Sequence, residues 1–572
     1  MHLGLPTRSV HGLPIIEHAE FGRNVPDETV LDEDKMELGK IYHMGREEKA
    51  HLILNRQAMA SHTFVTGSTG TGKSNAVYHL LDEITKDGRT SFLVVEPAKG
   101  EYKNVFGSRA DVKVFGTNPR ETPLLRINPF AFPQDIHILE HIDRLVEIFN
   151  ACWPMYAAMP AVLKDAIERS YQKVGWDLRN SESEKGVFPT FFDLLDILPG
   201  VIEESHYSKD TQSDYVGALC TRVKSLTNGI YGSVFCAEDA LSDAELFDCN
   251  VVVDLSRVGS METKSLLMGI LVMKLQEYRM CGGEMNSRLR HVTVLEEAHN
   301  LLRKTSAEQS QEGANLQGKS VEMLANAIAE MRTYGEGFII ADQAPGLLDM
   351  SVIRNTNTKI ILRLPDEEDR KLVGKSAALK EAQIDELSKL PLGVAAVYQN
   401  EWPEAVLCKI EAYPMPENAV YHKPSKMPHE INAEFVFGQL AVGKELEPLS
   451  ISEMEQLKLW LKRHETVLKP EDDRYLERVF AGGELDVAKT RKAVFDFFGG
   501  IGTVVDYCAA AKKSLTPRKE FLEQLQGQYG LKAAAADWVL NSVISMGMSL
   551  NPDAKAVDNL RTNFEQQGGR VL

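Results

Sequence analysis

The segment Gly67-Ser-Thr-Gly-Thr-Gly72-Lys73-Ser74 matches the spacing G-x-x-x-x-G-K-[ST], and does so once in the chain. It follows the apolar run Thr63-Phe-Val-Thr66 and precedes Asn75-Ala-Val-Tyr78, which reads as the start of a helix. Glycines at Gly67, Gly70 and Gly72 let the backbone curl, so that successive N–H groups from Ser68, Thr69, Thr71 and on to Asn75 face phosphate oxygens. The positive end of the following helix dipole adds to that field. Lys73 is spaced to reach the β- and γ-phosphates of a nucleotide, and the Ser74 hydroxyl to help hold Mg²⁺. By composition alone such a match arises in roughly a few per cent of chains this long, and the strand–loop–helix context makes chance rarer still.

Two further runs could complete a phosphoryl-transfer site. Val292-Thr-Val-Leu295 leads into Glu296-Glu297-Ala-His299, an apolar strand that delivers two carboxylates at its C-terminal end. In a parallel sheet that end lies beside the phosphate loop. Glu296 is then placed to hold the Mg²⁺ hydration shell, and Glu297 to orient and activate the attacking water. Taken alone, the two acids would equally suit an acidic helix N-terminus. Gly337-Phe-Ile-Ile-Ala-Asp342-Gln343 is a third such strand, with Gln343 placed to sense a γ-phosphate or position water; an ordinary strand-to-loop transition would look the same. The base-reading Asn-Lys-x-Asp of GTPases occurs nowhere, which favours ATP. His299 reads as a structural partner of its own helix.

The elements that must position these residues alternate as strands and helices. Short β-rich runs at 91–95, 112–115, 251–254, 291–295, 337–341 and 359–362 are separated by longer helical stretches, the pattern of a parallel α/β sheet. Runs at 394–397 and 404–408 read as an edge hairpin. About 135 residues separate Phe115 from Val251, too many for one crossover, and helical patterns over Ile136–Asn150, Met159–Val174 and Thr190–Leu198 read as an insertion. The expected organisation is an N-terminal β module over 1–60, core segments over 61–135 and 226–425, a helical insertion over 136–225, and a helical C-terminal region over 426–572. In that last region Ile451–His464, Asp473–Val479, Asp486–Phe498 and Ala533–Met546 are the clearest helices.

Composition bounds the function. The chain has 572 residues, 43% hydrophobic and 26% charged, ordinary globular values that exclude bulk disorder. No run of 18 apolar residues exists, and no leader pattern is visible at the start. The 7 scattered cysteines, without a CxxC, suit reduced thiols in a cytoplasmic protein rather than a disulfide framework. With 64 Lys plus Arg against 82 Asp plus Glu, the net charge is −18, which excludes a uniformly basic DNA-coating protein. It leaves open a ring that is positive only along its channel.

The order of motifs resembles the HerA branch of the HerA/FtsK ATPases. GSTGTGKSN, the strand running into Glu96-Pro-Ala-Lys99-Gly-Glu-Tyr102, LEEAHNLL, Ala329-Glu-Met-Arg332-Thr-Tyr-Gly335 and Ile339-Ile-Ala-Asp-Gln343 carry the resemblance, over roughly residues 40 to 420. It implies a RecA-like P-loop core and a homo-hexameric ring that takes double-stranded DNA in its channel. It further implies a nuclease or sirtuin-like effector partner, plausible in antiphage defence. A conjugation- or secretion-type ATPase, or a ring scaffold whose hydrolysis regulates an effector, are the alternatives. Arg332 lies where the family carries an arginine, and is the first candidate for a cationic finger supplied in trans, with Arg354 and Arg363 next. Two departures stand out: Glu296-Glu297 replaces the usual Asp-Glu, and the N-terminal β module is shorter than the family's barrel. Lys99, Lys103 and Arg109 could contact DNA backbone phosphates, or form a mixed surface patch. The polar stretch Arg303–Lys319 reads as a mobile connector or a channel loop.

Overall fold

The computed structural model describes residues 18–423 apart from short gaps, the longest being 306–312, and most of 486–570. The chain divides into two compact units. One comprises Met1–Ser170, Thr190–Phe235 and Leu241–Lys423, and the other Tyr171–Pro189, Cys236–Ala240 and Pro424–Leu572.

The first unit is built on an 11-stranded sheet. Its strands are β1 (Lys35–His43), β2 (Arg46–Asn55), β3 (Thr63–Thr66), β4 (Ser91–Glu96) and β5 (Val112–Gly116), and, after the separate pair β6 (Trp176–Asp177) and β7 (Glu182–Ser183), β8 (Asn250–Asp254), β9 (His291–Glu296), β10 (Glu336–Asp342), β11 (Thr358–Ile361), β12 (Val394–Gln399) and β13 (Val406–Ile410). The spatial order is β2-β1-β13-β12-β11-β3-β10-β9-β4-β8-β5. From β11 to β5 every neighbouring pair is parallel, as the alternating strands and helices require. All residues of β3, β9 and β10 are buried, which explains why no exposed polar residue alternates with their apolar ones: helices cover both faces.

The other side of the sheet is antiparallel. β12 and β13 form the expected hairpin, but it is not an edge, because β13 pairs with β1 and β1 with β2. The N-terminal strand segments thus continue the sheet. Helices Ile138–Cys152, Met159–Lys173 and Phe191–Glu204 occupy the long interval between β5 and β8. The β6–β7 pair falls in the same interval of sequence but belongs to the second unit, and no apolar alternation announces it. The stretch expected to be a loop up to Lys319 is helical from Gly313, in a helix that runs to Glu330. Thr358–Gln399 pairing places Gln399 Nε2 on Thr358 Oγ1 at 3.0 Å, which satisfies polar groups between β11 and β12.

In the second unit, helices Val487–Phe497, Gly500–Ala511, Pro517–Tyr529, Ala533–Leu550 and Ala554–Gln566 surround a core that includes Tyr507, Leu540, Ile544 and Phe564. Tyr507 meets Phe521 and Phe564 edge-on, each with ring centroids 5.5 Å apart. The helix expected at Ile451–His464 lies outside the described residues, as does most of Asp473–Val479. Among the described residues no helix is long and apolar enough to cross a membrane.

Candidate active site

The parallel strands deliver polar residues to one edge. Successive C-terminal ends carry Arg363 after β11, the phosphate loop after β3, Gln343 after β10, Glu296 and Glu297 on and after β9, Glu96 on β4 and Asp254 on β8. Helix α1 (Lys73–Thr85) starts at the loop, with Gly72 at φ 106° as its N-cap. Any side chain at that φ would be strained, and a Cβ on Gly67 would stand 2.7 Å from Leu362 Cβ. The loop is anchored on both sides. Ser68 N donates to Arg363 O at 3.0 Å, Thr71 Oγ1 donates to Ser68 O at 2.7 Å, and Gly393 N donates to Thr71 O at 3.0 Å. Asn75 Nδ2 donates to Glu411 O at 2.9 Å and its Oδ1 accepts from Tyr413 N at 2.8 Å, so the segment after β13 closes over the start of α1.

Lys73, Glu296, Glu297 and Gln343 meet as the spacing implied. Lys73 Nζ donates to Glu296 Oε2 at 2.5 Å and lies 3.6 Å from Glu297 Oε1. Burial works to lower the pKa of this ammonium, but the charges of Glu296 and Glu297 outweigh it and hold the group above its ordinary value. Gln343 links two parts of the site: its Oε1 accepts from Thr69 Oγ1 at 2.6 Å, and its Nε2 donates to Glu297 Oε1. Glu297 sits at φ 45°, ψ 50°, a left-handed conformation that costs a non-glycine residue about 1–2 kcal/mol. Its carbonyl accepts from Asn300 N at 2.9 Å and Asn300 Nδ2 at 2.7 Å, which holds the turn. Such a turn lets two consecutive acids serve different partners.

Several contacts lay outside the sequence reading. Tyr102, at the start of α2 (Tyr102–Phe106), donates its phenol to Glu296 Oε1 at 2.6 Å and is 2% exposed. Glu96 accepts from Glu101 N at 2.8 Å and Tyr102 N at 3.1 Å. Burial, with the charges of Asp254 and Glu296 adding to it and these N–H bonds opposing, pushes the Glu96 carboxyl up to about 8. The run Glu96–Tyr102 after a buried strand was the available signal. His299 is tied to the neighbouring strand rather than to its own helix, because Ala298–Asn300 is a single turn: Asp342 Oδ2 accepts from His299 Nδ1 at 2.9 Å and from His299 N at 2.8 Å. The bond to Asp342 raises the His299 pKa.

Two of the three candidate arginines are elsewhere. Arg332 lies on the turn Met331–Tyr334 before β10, exposed, so about 20 Å of strand separates it from Gln343 of its own chain. Arg354 ends the short helix Met350–Arg354 before β11, at that same far edge; Arg363 follows β11 at the near edge, exposed. Of the three basic residues after β4, Lys103 is committed to Asp254 at 2.6 Å and Glu121 at 2.9 Å, and Arg109 to Asp111 at 2.7 Å. Lys99 instead lines a cavity of ≈ 300 Å³ with Ser68, Gly70, Lys73, Ser74 and Gln343.

These residues fit a magnesium nucleotide. Two of the expected N–H donors are spent within the protein, Ser68 N on Arg363 O at 3.0 Å and Thr71 N on Ser68 O at 3.2 Å. The phosphates are left to the other N–H groups of the loop, and the space beside Gly70, at φ +75°, is open. Ser74 and Glu296 would offer the hard oxygen donors that Mg²⁺ takes.

Residues 36–182 match the family "Helicase HerA, central domain". A probable helicase of Methanocaldococcus jannaschii is 24% identical over 436 residues, spanning 70% of this chain and 76% of that protein. The DNA double-strand break repair helicase HerA of Sulfolobus acidocaldarius is 25% identical over 394 residues, spanning 67% of this chain and 71% of its own length. Among solved structures, VirB4 of Thermoanaerobacter pseudethanolicus aligns over 69% of this chain and 100% of its own, with a TM-score of 0.52 and 18% identity. At that identity the likeness speaks for the fold, a RecA-like α/β core.

Proposed function

We propose, from the premise that the chain belongs to the HerA branch of the HerA/FtsK P-loop ATPases, that it is a Mg²⁺-dependent ATP-hydrolysing motor that closes into a homo-hexameric ring around duplex DNA and works with an effector subunit. The observation that carries the ATPase reading is the convergence of three strand ends: Lys73 on Glu296 at 2.5 Å, and Gln343 bridging Thr69 and Glu297. DNA as the track is supported by the relatives named as DNA double-strand break repair helicases. The nuclease or sirtuin-like effector rests on the family resemblance.

Each residue has a task in that reading. The loop from Gly67 to Asn75 binds the phosphates through backbone N–H groups other than those of Ser68 and Thr71, and Lys73 adds a charge that Glu296 and Glu297 keep fully protonated. Ser74 and Glu296 would hold Mg²⁺, which supplies charge neutralisation between the phosphates when bound. Glu297 accepts the proton of the attacking water, and Gln343 fixes the carboxylate through its Nε2. Arg332, exposed at the opposite sheet edge, is suited only to a neighbour's site, which a head-to-tail ring interface provides.

The test combines mass measurement and turnover. The purified chain with ATP and duplex DNA should run at six times its monomer mass, and bare duplex DNA should raise its ATPase rate. Lys73→Ala should lose nucleotide binding. A monomer that hydrolyses ATP without response to DNA would refute the motor while sparing the ATPase.

A further inference from the structure

We propose that Lys99 is a second phosphate-binding cation of this nucleotide site, directed at the terminal phosphate of a nucleoside triphosphate. The assignment rests on the ATPase reading and adds a residue to it.

Position is the first argument. β4 neighbours β9 in the sheet, so the turn after β4 emerges beside Glu296 and Glu297. From that turn Lys99 shares the ≈ 300 Å³ cavity with Ser68, Thr69, Lys73 and Gln343. The phosphate-loop apex and the water-positioning glutamine are the parts of a P-loop site that surround a terminal phosphate.

The backbone is the second. Lys99 has φ +65°, and Gly100 after it +69°. A glycine would adopt this conformation without strain, whereas a lysine pays about 1–2 kcal/mol for it. The turn holds because it is clamped: Gly100 N donates to Ala98 O at 2.8 Å, and the buried Glu96 carboxyl accepts from Glu101 N and Tyr102 N. A Cβ on Gly100 would stand 2.9 Å from Ser256 Oγ, so the turn is also packed from beneath. Strained residues held in this way concentrate at functional sites. What position 99 gains over glycine is its side chain.

Charge is the third. The Lys99 side chain is 45% exposed and its anionic neighbour, Glu101, lies at 3.8 Å and is 50% exposed. A solvated pair of that length holds an ammonium weakly, so Lys99 is free to turn to a phosphate. Lys73, by contrast, already faces two carboxylates. A second cation brought to the terminal phosphate stabilises charge developing on the transferred group, and Lys99 supplies it within the same chain.

The experiment uses the full chain in the Glu297→Gln background, so that ATP persists, and titrates ATP and ADP with Mg²⁺ into the parent and into Lys99→Ala, Lys99→Gly and Lys99→Arg. Ala keeps the strained backbone and Gly relieves it, so a loss shared by both reports the charge. We expect both to weaken ATP by about tenfold or more while ADP stays within about twofold, with Arg recovering most of the loss. Unchanged thermal midpoints would show the fold intact. Equal weakening of ATP and ADP, unchanged ATP affinity, or a loss confined to DNA binding would each overturn the assignment. A folded parent that binds neither nucleotide would sink the ATPase reading itself, and this one with it. Lys73→Ala separates the two: it should abolish both nucleotides, where Lys99 variants discriminate.

Discussion

Glu297→Gln is the perturbation that best tests which acid activates water. Glutamine has the same length, and its amide oxygen can still accept from Gln343 Nε2, so the bridge from Thr69 through Gln343 persists. Lys73 keeps Glu296 at 2.5 Å and loses only the more distant charge at 3.6 Å, so the phosphate loop stays in place. What disappears is a group able to take a proton. A positioned general base contributes about 10²–10⁴-fold, equivalent to about 3–5 kcal/mol of barrier. Single-turnover phosphate release should slow by that factor while ATP affinity changes by about threefold or less. Glu296→Gln should behave differently: it removes the closer partner of a buried ammonium and one metal oxygen, so half-saturation for Mg²⁺ should rise along with any loss of rate. If Glu297→Gln keeps more than about a tenth of the parent rate, the role given to Glu297 is wrong. The roles are exchanged if Glu296→Gln alone stops turnover with binding intact.

Tyr102→Phe removes the phenol from Glu296 Oε1 and leaves a buried carboxylate short of one donor, which should cost about 1.5–3 kcal/mol and weaken Mg²⁺ binding; denaturant melts and a Mg²⁺ titration of the ATPase read both. For Glu96, whose carboxyl is pushed up to about 8 against an unfolded value near 4.5, the folded state holds the proton more tightly. Its contribution is complete below the unfolded pKa and is lost as pH rises through about 8, so melts between pH 6 and 9 should show falling stability that Glu96→Gln flattens. Glu336 is wholly buried and accepts from His291 Nδ1 at 2.7 Å, Thr293 Oγ1 at 2.9 Å and Arg279 Nε at 3.0 Å. Glu336→Ala takes the shared carboxylate from buried His291 and Arg279, leaving Arg279 only Asp248, at 2.8 Å, as a carboxylate partner, and should cost about 3 kcal/mol in a urea melt, without a selective change in nucleotide affinity.

Most of the parallel strands were legible because they are short runs rich in β-branched residues whose two faces are both buried, as in Val251-Val-Val-Asp254 and Val292-Thr-Val-Leu295. The phosphate loop was legible because its glycines have no other use at that spacing. The meeting of Lys73 with Glu296 followed from one rule, that parallel strands end at a common edge. What that rule does not supply is strand order. Tyr102 lies 194 residues from Glu296 in sequence and touches it because β4 happens to neighbour β9. Strand order likewise decides that His299 finds Asp342 of β10, and that the β12–β13 hairpin is continued by β1 rather than left as an edge. For Arg332 the motif gave a position in the chain but no side of the sheet; its place before β10 sets it at the far edge.

The ion pair between Lys73 and Glu296 shows how nucleotide and metal must depend on each other. Both side chains are buried, at 6% and 8% exposure, so neither can be left unpaired without a large desolvation cost. A phosphate arriving at Lys73 competes with Glu296 for the ammonium, and its reward is partly cancelled by the carboxylate it displaces. Ser74 and Glu296 would hold a divalent cation, whose charge would give the carboxylate a partner in place of the lysine and so relieve that conflict. Tyr102, still bonded to the other oxygen of Glu296, keeps the carboxylate in place during the exchange. Nucleotide and Mg²⁺ should therefore bind with positive coupling, each raising the other's affinity by the same factor. Loss of the Tyr102 phenol should reduce that coupling more than it reduces the affinity for metal-free nucleotide. Equal losses in both would mean that Tyr102 only packs the core.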